Sequence, residues 1–209
     1  MLAKEGRAPV LVLAVGGLLG AYAIHPSVAL VFWAAGAVAW MLFRSSKPQQ
    51  NDLPLVVVCP VGGTVCALGE TYDPWCNRDA LRVSVRLPFP GIGELFSPAD
   101  GRIEGFWTDL ATQREGSSLD AWLESPTRYT LGITTDGGDE VVYTVASTRR
   151  HSRLKFDQAP GERAKRGARS GFAYFAATVD VLVPLGSRLD VSDGEVVAPG
   201  QIIVTLVHG

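Results

Sequence analysis

The stretch GFAYFAATVDVLVP, residues 171–184, decides the fold. Phe172, Tyr174, Phe175, Val179, Val181 and Val183 are apolar or aromatic, and Asp180 falls at an alternating position. This period of two, closed by Pro184, predicts a strand. Its irregular place is Ala176-Ala177-Thr178, small residues set between an aromatic run and a β-branched run.

Outward from this stretch the pattern is one of short strands. Residues 55–58 form a compact apolar run that Pro60 closes, and residues 81–87 (LRVSVRL) alternate strictly. Strands are expected at 102–107, 128–134 and 139–146, the last following the turn signal Asp136-Gly137-Gly138, and again at 196–208. Residues 117–124 (SSLDAWLE) are the one helical pattern of the region, with Ser118 as cap and Leu119, Trp122 and Leu123 on one face. Many strands with Gly and Pro turns predict a mainly β barrel or sandwich. Two echoes run through it. Gly161-Glu162 followed by Gly167 repeats Gly194-Glu195 followed by Gly200, and Cys59-Pro60-Val61-Gly62-Gly63 repeats Ser97-Pro98-Ala99-Asp100-Gly101.

The N-terminus differs. Residues 8–24 and 27–43 are uncharged apolar runs parted by His25-Pro26, each near the ~17–25 residues that a spanning helix needs. Pro26 disfavours one unbroken helix. Lys4 and Arg7 flank one outer end and Arg44 and Lys47 the other, which places both ends in the cytoplasm. A cleaved signal peptide ending at Ala21-Tyr22-Ala23 is the rival, outweighed by the second apolar run that follows at once, and a shallow re-entrant hairpin stays open as an alternative. The expected organisation is a transmembrane hairpin at 1–44, a polar linker at 45–52 and a β domain at 53–209. The chain has 209 residues and net charge −2, so one soluble domain and one membrane element fit its length. Cys59, Cys66 and Cys76 form no C-x-x-C pair and are odd in number, which argues against a disulfide framework and for buried reduced thiols. His25, His151 and His208 are too scattered for metal-ligand spacing, and no metal is expected.

In motif order the chain resembles the short, membrane-anchored phosphatidylserine decarboxylases. The apolar hairpin ending in Phe43-Arg44 is similar to the family's anchor. VVVCPVGGTV (56–65) is similar to its V-V-S-P-A-D-G-K-V, with Gly62 at the catalytic Asp. Residues 83–103 resemble its D-V-H and R-x-P-x-x-G-x-V stretch. Pro98, Gly101 and Ile103 match; Gly91 stands at the Asp, Gly93 at the His and Phe96 at the Arg. Arg149-Arg150 look like its paired arginines. Residues 161–184 are the closest match, where Phe-Gly-Ser-Thr-Val of the family becomes Phe175-Ala176-Ala177-Thr178-Val179. The G-E-x-x-x-x-G turns look like those of biotinyl/lipoyl-type folds. A carrier domain of that kind needs a lysine at its hairpin tip, and Ser192-Asp193-Gly194 has none.

The resemblance implies self-cleavage at the Gly-Ser bond and a pyruvoyl group grown from the Ser. Self-cleavage needs a hydroxyl or thiol to attack the preceding carbonyl, and Ala177 has a methyl group. Thr178 has a hydroxyl one position late. Gly62, Gly91 and Gly93 have no proton to move. The expectation is therefore a pseudoenzyme with no catalytic residue and no cofactor. Asp100 looks like the catalytic-Asp motif, but by its place in the order it is a turn residue. Arg149, Arg150, Arg153, Lys155, Arg163, Lys165, Arg166 and Arg169 are candidate contacts for anionic phospholipid; the plainer reading is a solvated face. The expected partners are the bilayer, anionic phospholipid, and an integral-membrane protein or an active relative. Nucleic acid is not expected. Two alternatives stay open: an active decarboxylase making phosphatidylethanolamine, and a scaffold subunit of a membrane complex.

Overall fold

The computed structural model describes residues 3–23, 25–45, 47–50, 53–109, 127–147 and 153–207. The chain forms two compact units, Met1–Ser46 and Lys47–Gly209.

In the first unit, helix α1 is Lys4–Ala23 and α2 is Pro26–Leu42. The break falls where Pro26 predicts it. Pro26 takes the first helical turn of α2, and His25 caps it with extended backbone, its ring accepting from the Ser27 N–H. The helices pack antiparallel through glycines: a Cβ at Gly16 would meet Phe32, and one at Gly20 would meet Val28. The Ala3 N–H donates to the Phe43 carbonyl (2.9 Å), joining the two outer ends. The expectation of a transmembrane hairpin is corrected here. Among the described residues no helix is long and apolar enough to cross a membrane. α2 has 17 residues, about 26 Å at 1.5 Å per residue against a hydrocarbon core of about 30 Å. α1 carries Lys4, Glu5 and Arg7 in its first two turns.

The second unit is β throughout its described residues. An eight-stranded sheet runs β13-β2-β3-β11-β7-β6-β5-β9. Its strands are β2 (Gly63–Asp73), β3 (Arg78–Arg86), β5 (Gly101–Asp109), β6 (Thr127–Thr135), β7 (Glu140–Ser147), β9 (Arg163–Ala164), β11 (Ala176–Pro184) and β13 (Val196–Val197). β1 (Val56–Val58), β14 (Ile202–Thr205) and β12 (Arg188–Leu189) form a second sheet, and β4 (Gly93–Phe96), β10 (Arg169–Tyr174) and β8 (Arg153–Phe156) a third. Alternation puts Val83 and Val85 of β3, Val179, Val181 and Val183 of β11, and Val141, Tyr143 and Val145 of β7 on one face, in the main core. Tyr143 is wholly buried, and its hydroxyl is satisfied by the Ser170 Oγ (2.9 Å).

Two strand expectations change. Residues 171–184 are two strands, because Phe175 takes φ +60 and turns the chain from β10 to β11. β10 pairs with β4 and β8, whereas β11 pairs with β3 and β7, so the stretch changes sheet at that residue. Residues 196–208 likewise hold β13 and β14, parted by the turn at Gly200. The helix expected at 117–124 lies outside the described residues.

Both sequence echoes belong to one structural repeat. The Gly161 N–H donates to the Ile103 carbonyl and the Ile103 N–H to the Glu162 carbonyl (2.8 and 3.0 Å). Gly194, Val65 and Glu195 make the matching pair (3.0 and 2.8 Å). Gly167 donates to the Ser97 carbonyl and Gly200 to that of Cys59 (2.9 Å each). The two copies meet reciprocally, Val58 N–H to Pro98 O and Phe96 N–H to Pro60 O (2.9 Å each).

Candidate functional site

The switch between sheets at Phe175 builds the candidate site. A non-glycine residue at positive φ costs about 1–3 kcal/mol and persists only where its surroundings hold it. Here the holding contacts are two backbone bonds and one from a side chain. The Ala176 N–H donates to the Gly91 carbonyl (2.9 Å), and the Leu87 N–H donates to the Ala177 carbonyl (3.0 Å). The Ser147 Oγ donates to the Phe175 carbonyl (3.2 Å). Gly91 closes the turn that leaves β3, its N–H donating to the Pro88 carbonyl (2.8 Å). It does so at φ +75, and a Cβ there would lie 1.9 Å from the Ala176 carbonyl oxygen. Only glycine fits this approach.

The positions singled out from the sequence therefore gather. Gly91 touches Ala176 directly. Gly93 opens β4 opposite Ala173 of β10, with nothing within 4 Å of a Cβ built on it. Register carries Thr64 of β2 across Arg86 of β3 to Thr178 of β11, so Gly62 lies at the same end of the sheet, against Pro199. Ala176 is buried and Ala177 half-buried.

None of these five residues has an ionisable side chain. Ala177 presents a methyl group, which does not fit a prosthetic group built from a side-chain oxygen at that position. The hydroxyl in the break is that of Thr178, whose Oγ1 is buried with no hydrogen-bond partner among the described residues. Two titratable groups nearby escaped the sequence reading. Glu94 follows Gly93 and pairs with Arg169 (3.2 Å), which also pairs with Asp157 (3.1 Å). Asp180 faces away from the main core, next to Ser84 in register. Burial pushes its carboxyl above the ordinary range, partly offset by the Ser84 hydroxyl and the charges of Arg82 and Arg128. Asp180 was legible only as a polar residue on the outward side of an alternating strand, and Glu94 lies in a strand of four residues, too short to show a period. Among the described residues no cluster of His, Cys, Asp or Glu could hold a metal.

The basic candidates are dispersed. Arg163 pairs with Asp136. Arg166 donates to the carbonyls of Leu53 (2.7 Å) and Val56 (3.1 Å) and pairs with Asp100 (3.5 Å). Asp100 also accepts from the Arg166 N–H (2.9 Å), so it is the turn residue expected of it. Lys165 is exposed and, with Gln49, Asp100 and Arg166, lines a cavity of about 390 Å³. Lys155 lies opposite Phe172 and Arg153 opposite Tyr174. Arg149 and Arg150 lie outside the described residues. The cysteines are free, but only Cys59 is buried as expected, and burial pushes its thiol up to about 12; Cys66 and Cys76 are half-buried.

Comparison with known proteins agrees with the motif order. The phosphatidylserine decarboxylase proenzyme of Nitrosomonas europaea is 32% identical over 180 residues, covering 86% of this chain and 83% of that protein. That of Burkholderia ambifaria is 31% identical over 215 residues, covering 98% and 95%. That of Paraburkholderia xenovorans is 29% identical over 210 residues, covering 98% and 96%. No family model matches the chain, and no solved structure does. These relatives correct one expectation. They are named as proenzymes, and the resemblance implies that a pyruvoyl group belongs to such a chain. The expectation of no cofactor is overturned, since nothing found for this chain shows the group to be absent.

Proposed function

Because this chain belongs to the phosphatidylserine decarboxylase family, we propose that it is a membrane-associated protein that binds phospholipid at the Gly91–Ala176 break. In this reading it holds the lipid without decarboxylating it. It is then a pseudoenzyme that serves as a structural or regulatory subunit beside another membrane protein or an active relative. One observation carries the reading: Gly62, Gly91, Gly93, Ala176 and Ala177 gather at one end of the sheet with no proton to transfer among their side chains. A positioned acid or base is ordinarily worth ~10²–10⁴-fold in rate.

The helical hairpin is the proposed membrane attachment. Leu11 (66%), Leu19 (63%) and Trp40 (50%) are exposed on it, an apolar surface suited to lying within one leaflet. Lys4, Arg7, Arg44 and Lys47 at its outer ends favour the cytoplasmic side. The exposed basic residues Lys155 and Lys165 add anionic-lipid contacts in this reading.

The test is conversion of phosphatidylserine in mixed micelles by the purified full-length chain, with an active relative as control. The reading expects lipid binding with no phosphatidylethanolamine formed. Formation of phosphatidylethanolamine at a rate near the control's would overturn it in favour of a working decarboxylase. A chain that binds no phospholipid yet always migrates with other proteins in mild detergent would favour a scaffold subunit instead.

A further inference from the structure

We propose that the turn Pro88–Gly91 is a lipid-inserting rim, which sets the Gly91–Ala176 break against the headgroups of an anionic bilayer. Phe89 at its tip is 90% exposed, the most exposed aromatic side chain of the described β unit. A large apolar side chain so placed gains by leaving water. The turn is not a loose loop. Its Gly91 carbonyl accepts from the Ala176 N–H (2.9 Å), and Leu87 just before it donates to the Ala177 carbonyl (3.0 Å). Anything that engages Phe89 is thereby held at a fixed place beside the break.

The surroundings suit a phospholipid surface rather than a dry protein pocket. Three residues before Phe89, the exposed Arg86 ends β3. Arg86 lies in one cross-strand row with Thr64 of β2 and Val196 of β13, and Val196 is 77% exposed. Residues directly opposite in an antiparallel pair share a face. The same end of the sheet therefore presents an apolar side chain, a hydroxyl and a guanidinium together. That is the order met on entering an anionic leaflet: phosphate for the cation, then acyl chain for the apolar tip. The inference rests on the reading of the chain as a phospholipid-binding protein. It adds the surface that touches lipid and the orientation this imposes on the site.

The experiment places an environment-sensitive fluorophore on Phe89→Cys in the full chain, with Cys66→Ser and Cys76→Ser and the buried Cys59 left in place. The chain is reconstituted in vesicles of phosphatidylcholine with phosphatidylglycerol, with and without bromine on the acyl chains. The reference label sits on Gly137→Cys. Gly137 is an exposed turn residue beyond the end of β7 opposite Ser147, and Ser147 is the β7 residue that pairs with Ala176. The expected result is a blue shift at position 89 and at least about twofold stronger quenching by brominated lipid there than at 137. Replacing Arg86→Ala should lessen the quenching at 89 in anionic vesicles. Equal, weak quenching at both positions in a chain that floats with the vesicles overturns the rim and leaves phospholipid binding standing. A blue shift without quenching means that protein covers the turn, and it also overturns the rim. A chain that does not float with any vesicle overturns both.

Discussion

Substituting Gly91 by alanine should unlock the break at Phe175. The Cβ would be placed 1.9 Å from the Ala176 carbonyl oxygen and 3.1 Å from the Ala176 nitrogen. Relief needs a shift of more than 1 Å between the turn and the start of β11. Such a shift breaks the bond from Ala176 N–H to Gly91 O and strains that from Leu87 N–H to Ala177 O. Each buried hydrogen bond is worth about 1 kcal/mol net. An L-residue at φ +75 adds about 1–2 kcal/mol. The lower entropy of the unfolded alanine chain returns about 0.4–1 kcal/mol. The sum is a loss of about 2 kcal/mol, a fall in melting temperature of ~4–8 °C for a unit of this size.

Gly93→Ala is the internal control, two residues on at the start of β4. It has no positive φ and open space around a Cβ, so its effect should stay within about 0.5 kcal/mol. Urea denaturation of both variants, followed by intrinsic fluorescence, decides the matter. If Gly91→Ala melts with the parent chain, the clasp between the β3–β4 turn and Ala176 does not exist, and the gathering of the motif positions loses its geometric basis.

Three further outcomes are expected. Arg166→Met removes bonds to the Leu53 and Val56 carbonyls and the ion pair with Asp100, and should cost about 2 kcal/mol, whereas Arg163→Ala, with a side chain 73% exposed, should cost less than about 0.5 kcal/mol in the same denaturation series. Asp180 keeps its proton to higher pH folded than unfolded, so its contribution to stability is full below its ordinary value of 3.8 and is lost as pH rises through the raised one; the gain from Asp180→Asn should grow from pH 4 towards neutrality, and a pH-independent difference between the two urea midpoints would refute this. Cys59, buried with its thiol pushed up to about 12, should resist alkylation at pH 8 in the native chain and react once urea unfolds it, as read by peptide mass.

How far the sequence could be read depended on whether the cause was local. β3, β6 and β7 were visible because one face of each packs on the core, so apolar residues recur with period two. β2 was missed because that period fails within it: the register slips between Val65 and Ala67, and Gly69 lies at an extended but positive φ. The helix break at Pro26 was visible from proline's missing N–H. The change of sheet at Phe175 was not, because left-handed backbone is signalled by Gly or Asn, and an aromatic residue there is held by Ser147, Gly91 and Leu87, all remote in sequence. The site followed the same division. The motif positions could be found by resemblance, but the clasp of Gly91 on Ala176 depends on the close approach of two backbones, which side-chain pattern does not report.

The repeat gives the geometry behind the turn role that the motif order implied for Asp100. Copy on copy, Gly62 corresponds to Asp100 and Pro199 to Arg166. In one copy the Arg166 N–H donates to the Asp100 carboxylate, and the guanidinium returns to pair with it. In the other, Pro199 has no N–H to give, and Gly62 has no acceptor to receive it. A Cβ at Gly62 would instead lie 3.2 Å from the Pro199 Cδ. The acceptor and the donor are thus present together in one copy and missing together in the other. An aspartate placed at Gly62 would find proline where Asp100 finds an amide, so its carboxylate would lack the bond that fixes Asp100.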